Sequence, residues 1–138
     1  MLWVGVITWL SSDRFSDEQT ASWLTRMPFL SALGLPPATI DAVNLILRKT
    51  AHFVEYATLS VLAYRALGLG DPSASRARRL LSAVGLAVGC AAMDEFHQTL
   101  TLTRTGSLKD LFINSLGAIA GASLAARLLA QRWPTRAA

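Results

Sequence analysis

The sequence predicts an all-α fold, a polytopic transmembrane bundle of about four spans with one amphipathic helix lying at the membrane interface. Three observations carry this. Of the 138 residues, 52% are hydrophobic and 16% charged, against about 25% charged in a soluble domain. The mean hydropathy is +0.39. The deficit of charge is concentrated in a few long stretches rather than spread along the chain, as membrane spans require. Those stretches fit one domain over residues 1–138, with spans near 1–12, 41–69, 80–102 and 108–130.

The first apolar run, residues 1–10, is followed by Ser11, Ser12 and Asp13. A helix of that length covers only about 16 Å, half a hydrocarbon core. It predicts a short or truncated first span; with no basic flank and no small-residue cleavage pattern it does not read as a signal peptide. Residues 12–41 form a loop that opens with Asp13, Arg14, Asp17 and Glu18 and continues with Trp23, Leu24, Met27, Phe29 and Leu30 at near-helical spacing. That is the pattern of an interfacial amphipathic helix, with Pro36-Pro37 ending it. Residues 41–69 are apolar in their second half but carry Arg48, Lys49, His52, Glu55 and Tyr56 in their first. Gly68 to Pro72 breaks this element, and a basic loop with Arg76, Arg78 and Arg79 follows. Residues 80–102 are apolar up to Met93, where Asp94, Glu95, His97 and Gln98 appear together. The fourth span, 108–130, holds Asp110 and Asn114 in its first half, and a basic tail closes the chain.

The chain carries a formal charge of +4 and a pI near 10.0. Its Arg residues lie at the ends of apolar segments, which fits membrane flanks rather than a nucleic-acid face. The single Cys90 excludes an internal disulfide framework and a Cys-based zinc site; it reads as a small packing residue. The Trp residues at 3, 9, 23 and 133 suit interfacial belts, and Gly85, Gly89, Gly117 and Gly121 suit helix packing.

Because the chain reverses at every loop, the polar halves of the last three spans fall on one side of the membrane. At about 100° per residue, Arg48, His52 and Glu55 share a stripe with Tyr56 at its edge. Cys90, Asp94, His97 and Gln98 share another face, from which Glu95 points away. Ser107, Asp110, Asn114, Gly117 and Gly121 form a third. Charged groups at membrane depth face the bundle interior and pair or line a wet cavity. The expectation is therefore one polar pocket built by three helices from Arg48, His52, Glu55, Tyr56, Asp94, His97, Gln98, Arg104, Asp110 and Asn114. The 70–79 loop and the tail after 126 hold six Arg against one Asp, whereas the 12–41 loop holds two Arg against four acids. The positive-inside rule then places the C-terminus in the cytoplasm and opens the pocket outward.

With these residues assembled, the sequence resembles the VanZ-like family of small bacterial membrane proteins. The resemblance rests on Arg48-Lys49-Thr50-Ala51-His52-Phe53-Val54-Glu55-Tyr56 in the second span and Asp94-Glu95-Phe96-His97-Gln98 in the third. It continues from Arg104-Thr105-Gly106-Ser107 through Asp110 to Asn114 and Gly117. It implies four or five spans, the bacterial cytoplasmic membrane, a cell-envelope role and a link to resistance against the glycopeptide teicoplanin; it implies no particular reaction.

The residues themselves leave several chemistries open. Glu55, Asp94, His52 and His97 are the candidate catalytic groups, since burial among like charges tunes carboxylates and imidazoles for acid–base work. Arg48, Lys49, Arg104 and Lys109 ring the mouth and suit the phosphate of a lipid head group or lipid-linked cell-wall precursor. Tyr56, Glu95, Gln98, Asp110 and Asn114 complete the binding set. No cofactor is expected; a divalent metal on two His and two carboxylates is the alternative, although the spacing is not His-Glu-x-x-His. The opposing reading is a bracing network, Arg48 with Asp94 or Asp110 and His52 with Glu55, in a membrane-embedded protein compatible with self-association. The opposite halves of the spans lack polar residues, which argues against a continuous proton or solute path.

Overall fold

The computed structural model describes residues 2–10, 17–28, 32–99 and 107–130. Among them the regular structure is helical throughout: α1 (Leu2–Leu10), α2 (Asp17–Arg26), α3 (Pro37–Gly70), α4 (Arg76–Thr99) and α5 (Leu108–Leu128). The helices α3, α4 and α5 pack mutually, with the largest interface between α3 and α5; α2 rests on α3, and α1 touches it more lightly.

The boundaries differ from those expected at two places, each for a local reason. Pro36-Pro37 starts α3 rather than merely closing the segment before it, with Pro37 in the first turn. Proline is well suited there, because its fixed φ is helical and its missing N–H is one no helix satisfies. Gly34, at φ +58°, makes the preceding turn. At the other end, α4 begins a turn before the apolar run and takes in Arg76, Arg78 and Arg79. Ser75 caps it: the Arg78 N–H donates to Ser75 Oγ at 3.2 Å and the Arg79 N–H to the Ser75 carbonyl at 3.0 Å. Arg79 is consequently buried instead of lying in a basic loop. Its guanidinium donates to the Ala74 carbonyl at 2.6 Å and sits over the Tyr64 ring, 5.7 Å from the centroid.

The interior is made of small residues. Ala83, Ala87, Ala91, Ala118 and Ala122 are fully buried, with Tyr56 and Tyr64 the largest side chains enclosed. Leu62, Leu81, Met93, Phe96, Phe112 and Leu128 point outward and are exposed. In water that distribution would be inverted, since large apolar side chains provide the burial that folds a chain. In lipid the tails solvate Leu and Phe as well as a protein core does, and close approach of backbones through Ala and Gly holds helices together. A Cβ built on Gly117 would collide with the carbonyl oxygen of Phe53, and one on Gly121 would lie 2.7 Å from the carbonyl carbon of Ala57. These two glycines set the α3–α5 distance. A Cβ on Gly85 or Gly89 would meet nothing within 4 Å, so those two do not act in helix packing as the sequence suggested.

Among the described residues two helices, α4 and α5, are long and apolar enough to cross a membrane. α3 is longer, at 34 residues, or about 51 Å at 1.5 Å per residue, but its polar residues keep it below that measure.

Candidate functional site

The helix α3 supplies the frame. Its buried residues Asn44, His52, Tyr56, Ser60, Tyr64 and Gly68 recur every four positions, with half-buried Arg48 filling the gap. This i, i+4 row is one helix face, turned toward the other helices along its whole length. The polar half of that row, from Asn44 to Tyr56, builds the site.

Around this turn the structure places six of the expected residues on two cavities, one on each flank of α3, while Gln98, Asp110 and Asn114 are not among the described lining of either. The first, about 240 Å³, lies between α2 and α3. Arg48, His52 and Glu55 form one wall; Trp23, Leu24 and Met27 form the other. The second, about 540 Å³, lies between α1, α3 and α4 and is lined by Tyr56, Cys90, Asp94 and His97 together with apolar residues. The single three-helix pocket expected from helical phase is thus divided, because Tyr56 is wholly enclosed between the helices. It packs with Ile7 and Ala91 at this level.

Within the site, His52 Nδ1 lies 3.9 Å from Glu55 Oε2, close enough for charge interaction but beyond a direct hydrogen bond. Lys49, not Arg48, pairs with Asp110 and ties α3 to α5. The reason is rotation: Lys49 follows Arg48 by about 100° around the helix, which turns it from the α2 side toward α5. On α4 the buried row is Ala87, Ala91, Glu95 and Gln98. Glu95 therefore occupies the inward face, while Asp94 is half-buried and His97 exposed. Glu95 Oε2 accepts the Ser107 N–H at 2.7 Å, which satisfies the start of α5 where Ser107 makes no side-chain cap. Gln98 Nε2 donates to Asp94 Oδ2 at 3.0 Å. Asn114 is fully enclosed on α5. Among the described residues, neither its amide atoms nor the Tyr56 hydroxyl has a hydrogen-bond partner. Arg104 and Trp133 lie outside the described residues.

Some residues at the site were not singled out from sequence. Asn44 lines the α2–α3 cavity, and the i−4, i−8 continuation of the His52 row would have found it. Trp3 donates its indole N–H to the Glu55 carbonyl at 3.1 Å, docking α1 against the site rather than standing only in an interfacial belt. No periodicity within either helix could reveal that contact. Among the described residues, no three His, Cys, Asp or Glu side chains converge in a metal-binding arrangement.

An all-helical bundle with small residues inside and large apolar side chains outside has the construction of a helical membrane protein. The chain matches the VanZ/LLP1 family over residues 1–130 and belongs to it. No curated protein and no solved structure matches it.

Proposed function

We propose that this VanZ/LLP1 protein is a multi-pass protein of the bacterial cytoplasmic membrane. In this reading it binds the anionic head group of a lipid or lipid-linked cell-wall component in the cavity between α2 and α3. The spans are α3, α4 and α5, with α1 as a half-span, α2 at the outer interface and the C-terminus in the cytoplasm. The observation that carries the reading is the two-sided wall of that cavity, Arg48, His52 and Glu55 facing Trp23, Leu24 and Met27. A cationic group beside an apolar surface matches an amphiphile, with the guanidinium fork on phosphate and the first carbons of the chain against the indole and Met27. Arg104 is the proposed second phosphate ligand. If the ligand is also modified, Glu55 or Asp94 is the base and His52 or His97 carries the proton. Through this ligand the protein would contribute to teicoplanin tolerance.

The test replaces Glu55, Asp94, His52 and Arg48 singly, confirms membrane insertion, and compares co-purifying lipids by native mass spectrometry with envelope lipids and teicoplanin susceptibility. Loss of an anionic lipid from Arg48→Ala supports binding. Unchanged lipids and susceptibility in Glu55→Gln, Asp94→Asn and His52→Ala together would remove the catalytic version. A second reading, a non-catalytic bundle braced by polar pairs, draws on the Lys49–Asp110 pair and the Glu95 contact to α5. It requires that reversing the Lys49–Asp110 charges preserve function.

A further inference from the structure

We propose that the end of the bundle away from the candidate site carries a belt of three arginines that binds the phosphates of anionic phospholipids. The proposal rests on the membrane reading of the bundle, not on a ligand between α2 and α3. Arg65 on α3, Arg78 on α4 and Arg127 on α5 are all exposed. They stand at one level. Tyr64, Ala83, Ala125 and Ala126 share one buried cluster, and the Arg79 guanidinium lies over the Tyr64 ring. Each arginine of the belt adjoins one of these packed residues in sequence, Tyr64, Arg79 or Ala126. Neighbours along a helix differ in height by only about 1.5 Å, so the three arginines lie within about one helical turn of one another.

What lies beneath each arginine points to the partner. Leu62, Leu81 and Leu124 are exposed as well, at 40%, 69% and 54%. Each is three residues from its arginine, a spacing that shares a helix face, and each lies on the side toward the middle of the bundle. The leucine comes before Arg65 and Arg127 but after Arg78, because α4 runs opposite to α3, with Ala91 at Tyr56 and Arg79 at Tyr64. α5 runs with α3, as Gly117 meets Phe53 and Gly121 meets Ala57. On all three helices the outward surface thus changes from leucine to arginine within one turn, as it does where lipid tails give way to phosphates. A soluble acidic partner requires no leucine beneath each arginine. Arginine keeps its charge at that boundary, and its fork of donors suits a phosphate. Among the described residues no carboxylate is paired with any of the three. The Asp71 carboxyl is held below its ordinary range first by the Ser73 hydroxyl, with Arg78 the last of its influences. Arg65 lies about 26 Å along α3 from Arg48, close to the thickness of a hydrocarbon core, about 30 Å. A belt on one phosphate layer therefore sets Arg48 and the α2–α3 cavity at the opposite boundary.

The test is native mass spectrometry of the full-length protein in a neutral detergent, titrated with dioleoyl phosphatidylglycerol and with dioleoyl phosphatidylcholine. It is run on the wild type and on an Arg48→Ala background, so that lipid held at the belt is counted apart from lipid in the α2–α3 cavity and either reading can fail alone. Phosphatidylglycerol is expected to bind more tightly than phosphatidylcholine on both backgrounds. Arg65→Gln, Arg78→Gln and Arg127→Gln should each lower its affinity about fivefold and leave that of phosphatidylcholine unchanged. Arg76→Gln removes the same charge two residues from Arg78, but from another face of α4, and should cost less than about twofold. Glycerol 3-phosphate, which carries the phosphate without tails, should not displace the lipid. Circular dichroism checks that each variant keeps its helices, and exposed Arg→Gln changes leave the packing intact. Equal affinity for the two lipids, equal losses from Arg76→Gln and Arg78→Gln, or displacement of the lipid by glycerol 3-phosphate or by an aspartate-rich peptide would each overturn the proposal.

Discussion

Substituting alanine for Gly121 should separate α3 from α5, and the size of the effect follows from the contact. The added methyl would overlap the Ala57 carbonyl oxygen and lie 2.5 Å from Ser60 Oγ and 2.7 Å from the Ala57 carbonyl carbon. Ordinary contact begins near 3.4 Å, and the obstacle is backbone, which no rotamer change can move. The helices must part by about 1 Å, and a gap of that order forfeits about a quarter to a half of each affected dispersion contact. With on the order of thirty atom pairs at ~0.15 kcal/mol each around the crossing, the loss is roughly 1–2 kcal/mol, within the usual range for an overpacked core. Alanine's better helix propensity, about 1 kcal/mol over glycine, works in the opposite direction. Gly89→Ala carries the same propensity gain and meets no neighbour, so the difference between the two variants isolates the collision. Reversible unfolding in mixed detergent micelles should place Gly121→Ala about 1–2 kcal/mol below Gly89→Ala, with Gly117→Ala falling on the same side. Equal stability of the Gly121 and Gly89 variants would refute the close-approach argument.

Three further outcomes are expected. Lys49→Ala or Asp110→Ala should each cost about 1–2 kcal/mol, because the pair is only partly shielded, and the double reversal Lys49→Asp with Asp110→Lys should recover most of it in a mutant cycle of unfolding free energies. Glu95→Ala should loosen the start of α5 by about 1–2 kcal/mol by leaving the Ser107 N–H without its acceptor, while Glu95→Gln keeps an oxygen and should lose much less; amide exchange at residues 107–111 distinguishes them. In the loop after α3, the Ser73 hydroxyl holds the Asp71 carboxyl below its ordinary range by hydrogen bonding. Since this is a depressed carboxylate, its contribution is complete above the unfolded carboxylate pKa and is lost as pH falls through the lower folded value. Ser73→Ala should raise the Asp71 pKa in an NMR titration.

Much of the candidate site was legible because helical phase is a local property. The stripes through Arg48 and His52 and through Asn114, Gly117 and Gly121 needed only the 3.6-residue repeat, and the structure encloses His52, Asn114, Gly117 and Gly121. Phase says which residues share a face, but not which neighbour that face meets. It left Arg48 to pair with Asp94 or Asp110, whereas the interhelical register brings Lys49 to Asp110. It grouped Asp94 with His97 as inward, whereas Glu95 lies on the buried row and His97 outside it. Composition assigned four glycines to helix packing, yet only Gly117 and Gly121 have a backbone against them.

The sequence by itself determined that the chain is helical, apolar enough for α4 and α5 to cross a membrane, and polar at one end of its helices. Those properties are set by composition and by the period of a single helix. Only the tertiary structure decided that Tyr56 closes the middle of the bundle, that the polar residues part into two cavities, and that Trp3 reaches Glu55. Each depends on the rotation and axial offset of one helix against another. Those are fixed where small residues let backbones touch, and no single-helix pattern encodes them.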